Sequence, residues 1–220
     1  NIGIEIKTSG VIIVGTYKTG NNNPAIEAGL QIGDIITSID NKEVTTIEEM
    51  VNSINTGSND HIKIGYLRNG NTLYTDLQLY KENDTYKTGL YVKDTVSGIG
   101  TLTFIDPSTK FFGALGHEIT ERNTGKLLEI KNGKIYTSTV TNIVPSNYGS
   151  PGEKNAKINK QDVIGNIGEN TIKGIFGEYS SELPDYKTYK VGHAEDIQKG
   201  EAKILTVIKD NEVEEFTINI

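Results

Sequence analysis

The spacing between apolar residues changes along the first third of the chain. Ile2, Ile4 and Ile6 recur at every second position, and an unbroken apolar run follows at Val11–Val14. A two-residue period is typical of β-strands, so this stretch predicts two strands. From Ile47 to Ile54 the spacing changes to three and four residues, which is the period of an amphipathic helix. The pattern therefore predicts strands on both sides of one helix.

The predicted helix carries its own start signal. Thr46 is followed three residues later by Glu49, the pattern of a capping box in which side chains satisfy the free N–H groups at a helix start. After the helix, Asn69-Gly70 separates two alternating stretches, which is a strong signal for a β-hairpin. The first unit is therefore expected to be α+β.

The polar stretch at 81–87, Lys-Glu-Asn-Asp-Thr-Tyr-Lys, contains little that predicts a strand. We interpret it as a linker between a unit at 1–80 and a unit at 88–220. The second unit shows apolar alternation, with hairpin turn signals at Asn132-Gly133 and Asp210-Asn211. Such strand spacing suits an antiparallel barrel or sandwich. The chain as a whole is expected to be mainly β.

Charge and composition exclude several classes of function. With 22 Lys and Arg against 29 Asp and Glu, the net charge is −7 and no basic cluster stands out, so we expect no nucleic-acid partner. The absence of cysteine excludes disulfides and thiolate metal sites. Three dispersed histidines predict no metal site, and no glycine motif in a phosphate-binding context predicts a cofactor. No apolar run approaches the ~20 residues needed to span a bilayer.

A signature lies between the first strands and the helix. The stretch from Asn23 to Ile36, NPAIEAGLQIGDII, resembles the PAxxAGLxxGDxI pattern of bacterial, circularly permuted PDZ domains. The resemblance covers about Ile2 to Leu79. It implies a groove that binds extended peptides by strand addition, with backbone hydrogen bonds giving affinity and side-chain pockets giving specificity.

The PDZ resemblance also implies where the groove lies. Its strand is expected at Ile2–Ile6, with a peptide carboxylate held by backbone amides around Asn1, Ile2 and Gly3. The expected peptide-binding residues are Ile2, Gly3, Ile4, Ile47, Val51 and Ile54, and the expected partners are hydrophobic peptide or protein C-termini. The other interpretation of the helix face, above all of Met50, is that it belongs to the core.

A second signature begins after the linker. The stretches GIGTLTF at 98–104, Asp106-Pro107 and FGALGH at 112–117 resemble the start of the SpoIVB peptidase domain, which follows a PDZ domain in that family. The stretch PGEK at 151–154 resembles a later segment of the same family. The resemblance therefore implies a PDZ domain at 1–80 and a SpoIVB-type serine peptidase domain, of chymotrypsin-like double-barrel fold, at 88–220.

The family resemblance assigns one catalytic residue. Members are serine peptidases with His, Asp and Ser in that order, and their His ends the GALGH motif, which places it at His117. An imidazole can accept the serine proton and return it to the leaving amine. His61, at the start of a predicted strand, and His193 are expected to be surface residues.

The partners of His117 are not found between it and Ile220. The family's Ser lies in an SGSP-type motif, with its Asp shortly upstream, so both are expected beyond Ile220. Ser150 in Gly-Ser-Pro imitates the nucleophile motif but is followed by the mid-domain PGEK segment. Asp162, Asp185 and Asp196 follow His117 but lie in no family motif. The peptidase barrel is therefore expected to be incomplete at its C-terminus, and this chain alone to be inactive.

Two function classes follow from these observations. The first is a regulatory serine endopeptidase of sporulation signalling, whose PDZ domain binds peptide targets or its own segments and whose substrate is a regulatory membrane protein. The resemblance implies an extracytoplasmic location between forespore and mother cell, with any anchor or signal segment absent from this chain, and self-association is a further expectation. The alternative is a non-catalytic PDZ scaffold that binds peptides.

Overall fold

The computed structural model describes residues 1–57, 60–121, 125, 127–185, 187–210 and 212–220. The N-terminal elements are β1 (Ile2–Thr16), α1 (Pro24–Glu27), β2 (Ile35–Ile39), β3 (Lys42–Glu43), α2 (Ile47–Thr56), β4 (His61–Arg68), β5 (Asn71–Gln78), β6 (Tyr80–Glu82) and β7 (Thr85–Lys87). The C-terminal elements are β8 (Leu90–Gly100), β9 (Leu102–Ile105), β10 (Phe111–Ala114), β11 (Ile130–Val144), β12 (Glu153–Thr171), β13 (Gly174–Tyr179), a 3₁₀ turn (Ala194–Asp196), β14 (Glu201–Val207) and β15 (Val213–Asn219). The predicted mainly β fold is confirmed.

Helix α2 starts where the capping signal placed it. The Glu49 N–H donates to Thr46 Oγ1 at 3.2 Å, and the Thr46 N–H donates to Glu49 Oε2 at 3.1 Å. Both halves of the capping box are therefore formed. Met50 and Ile54 on the apolar face are buried, so packing and local hydrogen bonding favour the same helix. No described helix combines the length and apolarity that crossing a membrane requires.

The Gly-Asp pair of the PDZ-like signature forms a buried ion pair that ties β2 to β4. Asp34 is 2% exposed, and Arg68 donates to its carboxylate from Nε at 2.7 Å and from Nη2 at 2.6 Å. Arg68 Nη2 also donates to the Gly29 carbonyl at 2.8 Å. Because a buried charge is tolerated only when it is paired and hydrogen-bonded, this aspartate has a structural role.

One large antiparallel sheet runs through both halves of the chain. Its strand order is β5-β4-β2-β1-β11-β12-β13-β10-β9, with β3 on β2 and β8 on β1. The path ends at β5 and at β9, so the sheet is not closed. The second half is antiparallel as predicted, but β8–β13 join this open sheet and β14 and β15 form a separate two-stranded sheet, so the described strands do not form the expected barrel.

Strands β1 and β8 each cross from one hydrophobic core to the other. The segment Ile2–Lys7 pairs with β8 along one edge and with β11 along the other, whereas Val11 and Ile12 pair with β2. The pairing of β1 with β8 shifts register between Lys7 and Ile12. Ile2, Ile4 and Ile6 therefore face the core of the second half, while Val11 and Ile13 face the core around α2.

Two sequence predictions about turns and linkers are corrected. Residues 81–87 are not poor in strand, because β6 and β7 form a hairpin whose turn residues Asn83 and Asp84 have φ of 48° and 59°; their role as the boundary between two domains stays a prediction. Asn132-Gly133 is not a turn, because it pairs with β1 inside β11. A Cβ at Gly133 would lie 2.8 Å from the Glu5 carbonyl oxygen, so the glycine permits close approach of β1. Of the predicted turn at Asp210-Asn211, Asn211 lies outside the described residues.

Candidate functional site

His117 follows a sharp turn at the end of β10. That strand lies between β9 and β13 and ends at Ala114. Leu115 and Gly116 then adopt left-handed φ values of 74° and 79°, which turn the chain out of the sheet, and His117 is exposed. A left-handed leucine is strained, so surrounding contacts must hold it.

Two strand-end glycines make room for this turn. The Leu115 N–H donates to the Thr101 carbonyl at 3.0 Å, and a Cβ at Gly100 would lie 2.4 Å from the Leu115 side chain. On the other side, a Cβ at Gly174 would lie 2.4 Å from the Ala114 carbonyl oxygen. The turn that carries His117 therefore packs against backbone on both sides.

The His117 ring has a defined hydrogen bond. Its Nδ1 lies 2.8 Å from the Glu118 carbonyl oxygen. A carbonyl oxygen can only accept, so Nδ1 carries the proton and donates it to Glu118. In the neutral ring Nε2 then carries the lone pair. An exposed imidazole in this tautomer can act as a general base through Nε2.

The other candidate triad residues do not join His117. Asp162 and Asp185 are exposed, and Asp196 accepts a hydrogen bond from the His193 N–H at 3.3 Å. Ser150 is exposed at a turn, where its N–H donates to the Asn147 carbonyl at 2.9 Å. Within the described part of the chain, none of these four side chains is hydrogen-bonded to His117. The structure therefore does not bring any of these four predicted candidates into a catalytic pair with His117.

The remaining histidines lie apart from this turn. His61 is exposed at the start of β4, and His193 is exposed just before the 3₁₀ turn. Over the described ranges, no group of three or more His, Cys, Asp or Glu side chains is arranged to hold a metal ion.

The structure does not bring the six expected peptide-binding residues to one open groove. Both edges of Ile2–Lys7 are paired with other strands, and a Cβ at Gly3 would lie 2.4 Å from the Ile158 side chain. Ile2 and Ile4 are buried in the second core because three alternating isoleucines bury more apolar surface between two strands than at an open edge. Strand addition at Ile2–Ile6 therefore requires displacement of β8 or β11.

Strand β8 lies beside α2 instead. The Ile47 N–H at the start of α2 donates to Asp94 Oδ2 at 2.8 Å, and Val92 packs against the same core as the helix. Ile54 is 6% exposed and belongs to that core, Ile47 is half-buried, and Val51 is 46% exposed. Of the three predicted helix residues, Val51 is the one whose side chain is open to a ligand. Peptide binding itself stays a prediction.

Sequence reasoning missed Asn170, which contacts the chain directly after His117. Asn170 Oδ1 accepts from the Ile119 N–H at 2.9 Å, while Nδ2 donates to the carbonyls of Ile119 and Leu128, each at 2.9 Å. In the sequence, Gly-Glu-Asn-Thr at 168–171 has the composition of a turn. No local pattern therefore distinguished this asparagine from the others.

The described elements define the class of protein. A Gly-Asp strand, a capped helix and a hairpin form a PDZ domain, and the strands after it carry an exposed histidine at a strand end. Comparison with protein families agrees: the PDZ domain model matches residues 1–79, and the SpoIVB peptidase S55 model matches residues 84–220. The chain belongs to the SpoIVB peptidase S55 family and contains a PDZ domain before the family's peptidase-type region.

Individual relatives match over shorter stretches. The zinc metalloprotease RasP of Shouchella clausii is 35% identical over 107 residues, which cover 44% of this chain and 26% of RasP. The serine protease Do-like HtrA of Lactococcus lactis is 30% identical over 82 residues, which cover 37% of this chain and 19% of HtrA. The chain thus spans about a quarter and a fifth of these two proteases.

Among solved structures, a PDZ domain resembles part of the chain. The crystal structure of the PDZ domain of an SdrC-like protein from Listeria monocytogenes has a TM-score of 0.34 and 24% sequence identity. The match covers 40% of this chain and 93% of the Listeria domain.

Proposed function

We propose that the protein is a serine endopeptidase in which His117 is the general base. The observation that carries this proposal is the exposed His117 ring, whose Nδ1–H donates to the Glu118 carbonyl at 2.8 Å. Nε2 is then the nitrogen that accepts the proton of an attacking serine and returns it to the leaving amine. The family match over residues 84–220 supports a peptidase.

In the full-length natural protein, we expect His117→Ala to lower kcat for cleavage by about 10⁶-fold, the effect of removing the histidine of a serine-peptidase triad. The matched control is His193→Ala. His193 is also exposed, but it belongs to a different segment of the chain, directly before the 3₁₀ turn at Ala194–Asp196, and has no proposed catalytic role. Cleavage that survives His117→Ala would show that another group is the base.

We further propose that residues 1–220 tested alone do not form an acyl-enzyme, because the family's serine motif has no counterpart between His117 and Ile220. A general base without a nucleophile cannot carry out covalent catalysis. Incubation with a fluorophosphonate probe should therefore leave the chain unlabelled. Stoichiometric labelling that disappears in Ser150→Ala would instead make Ser150 the nucleophile.

The PDZ domain supports a second part of the proposal, which is the binding of apolar peptide or protein C-termini beside α2. The exposed Val51 side chain and the neighbouring strand β8 support this location. By family resemblance the substrate is a regulatory membrane protein of sporulation signalling, cleaved between forespore and mother cell. A full-length natural protein that binds peptides at α2 but cleaves no substrate, with His117 present or replaced, would fit the scaffold function instead.

A further inference from the structure

One peptide group lies between His117 and Asn170 and is hydrogen-bonded to both. Its carbonyl oxygen, on Glu118, accepts from His117 Nδ1 at 2.8 Å. Its N–H, on Ile119, donates to Asn170 Oδ1 at 2.9 Å. We propose that Asn170 is a positioning residue that fixes the tautomer and orientation of His117 through this peptide group. The proposal rests on the proposed function of His117 as the base.

The orientation of the Asn170 carboxamide follows from its partners. Nδ2 donates to the carbonyl oxygens of Ile119 and Leu128, each at 2.9 Å. A flipped amide would place Oδ1 against these two carbonyls and Nδ2 against the Ile119 N–H, and all three hydrogen bonds would be lost. The geometry therefore requires Oδ1 to face the Ile119 N–H.

Asn170 holds the peptide group against a rigid support. It lies near the end of β12 and pairs with Ile175 of β13. The Leu128 N–H also donates to the Ile119 carbonyl at 2.9 Å. Ile119 and Leu128 are therefore joined both to each other and to Asn170. On the other side of His117, the Leu115 N–H is held by the Thr101 carbonyl at 3.0 Å. Only Gly116, His117 and Glu118 lie between these two anchors.

These hydrogen bonds favour one tautomer of the imidazole. A peptide group whose N–H donates to a good acceptor is polarised, and its carbonyl becomes a stronger acceptor. The Glu118 carbonyl therefore favours the ring with a proton on Nδ1, which leaves the Nε2 lone pair free. In serine peptidases a carboxylate bonded directly to Nδ1 sets this tautomer. Across one peptide group, the Asn170 carboxamide favours the same Nδ1–H tautomer.

The test begins with the unaltered 220-residue chain. Long-range ¹H–¹⁵N correlation spectra of the imidazole nitrogens, measured at about pH 9 where imidazole side chains in general are neutral and assigned with His117→Ala, report which nitrogen is protonated. We expect the Nδ1–H tautomer of His117 and slow hydrogen exchange of the Ile119 amide. A dominant Nε2–H tautomer in the unaltered chain would overturn the proposal without any variant having to fold.

The second measurement uses Asn170→Ala, with Asn166→Ala as the matched control because Asn166 lies on the same strand and is exposed. We expect Asn170→Ala to shift His117 toward the Nε2–H tautomer and to speed exchange of the Ile119 amide. Asn166→Ala should change neither. If the Asn170→Ala chain is folded and its His117 tautomer is unchanged, Asn170 only stabilises the backbone at Ile119 and Leu128, and the proposal is overturned.

The kinetic consequence is measured in the full-length natural protein. Misplacement of the base should lower kcat by about 10²-fold in Asn170→Ala and leave KM unchanged. If His117→Ala leaves cleavage intact, the proposed function fails, whereas the tautomer measurement still decides whether Asn170 positions His117. An unchanged kcat in Asn170→Ala beside a loss of activity in His117→Ala would refute the positioning role alone.

Discussion

At the scale of single residues, Gly174 fixes the backbone next to the His117 turn. It has φ of +130°, and a Cβ there would lie 2.4 Å from the Ala114 carbonyl oxygen and 3.1 Å from the Gly116 nitrogen. Both the steric clash and the left-handed conformation oppose any side chain at this position.

We predict that Gly174→Ala lowers the free energy of unfolding by about 2–3 kcal/mol, the sum expected from overpacking and backbone strain. It should also broaden the NMR signals of Gly116 and His117. The matched control is Gly168→Ala on β12, where a Cβ would meet nothing within 4 Å. Equal urea midpoints for the two variants would show that the His117 turn does not depend on Gly174.

Asp106 organises the hairpin that leads into β10. Its Oδ1 accepts from the Ser108 N–H at 2.9 Å and from Ser108 Oγ at 2.7 Å, and its Oδ2 accepts from Thr109 Oγ1 at 2.9 Å. These hydrogen bonds, led by the one from the Ser108 hydroxyl, lower the pKa of Asp106 from 3.8 to about 2. A carboxyl group whose pKa is lowered by folding stabilises the native state above its unfolded pKa.

The stabilisation by the Asp106 carboxylate should therefore be present above pH 3.8 and be lost as the pH falls toward about 2. We predict that Asp106→Asn lowers the urea midpoint at pH 6 and that the two proteins converge near pH 2. Urea titrations at several pH values measure this difference. A gap between wild type and variant that stays constant with pH would contradict the assignment of the lowered pKa to folding.

At the scale of elements, α2 has one apolar face divided between core and surface. Ile54 is 6% exposed and Val51 is 46% exposed. A charge at Ile54 would be buried without a partner, whereas a charge at Val51 stays in contact with water. Of these two residues, Val51 is therefore the one whose substitution can separate peptide binding from folding.

We predict that Val51→Asp lowers the affinity for a labelled peptide with a free apolar C-terminus by at least about 10-fold, because an apolar contact is lost. The protein should stay folded. Asn55→Asp is the matched control, since it adds the same charge to an exposed position of the same helix. Ile54→Asp should unfold the PDZ core. Unchanged affinity in a folded Val51→Asp protein would show that the ligand does not contact this face of α2.

At the scale of the whole molecule, the two cores share strands. β1 and β8 pair along most of their length, and each contributes side chains to both cores. A unit that loses these strands loses packing on one side of its core and backbone hydrogen bonds along a strand. The PDZ part and the peptidase part are therefore expected to unfold together.

The test of this coupling is Ile13→Ala, because Ile13 is fully buried in the core around α2. We predict a loss of about 2–5 kcal/mol in unfolding free energy. Hydrogen exchange of the Ile64 amide in this core and of the Ile135 amide in the other core should accelerate by the same factor. Ile172→Ala, at a position 75% exposed, should change neither. Faster exchange at Ile64 alone would show that the two parts unfold independently.

The features that could be predicted from the sequence are those set by neighbouring residues. The capping box at Thr46 and Glu49, the apolar face of α2 and the Asn69-Gly70 turn are confirmed, because their hydrogen bonds and φ values depend on residues a few positions apart. The motif that ends at His117 identified the family and the end of β10 for the same reason.

The tertiary structure decided which strands meet. Alternating isoleucines at Ile2, Ile4 and Ile6 bury equally well beside any apolar strand, so their pattern could not show that β8 and β11 occupy both edges. Nor could it show that Asn170 hydrogen-bonds the peptide group next to His117, because 53 positions separate these two residues in the sequence. The sequence by itself determined α2, the turn at Asn69-Gly70 and the candidate base His117, through short-range periodicity and a local motif. The tertiary structure alone decided which strands and side chains surround His117. Every residue except proline offers the same backbone N–H and C=O groups, so the sequence of a strand does not show which strand it pairs with.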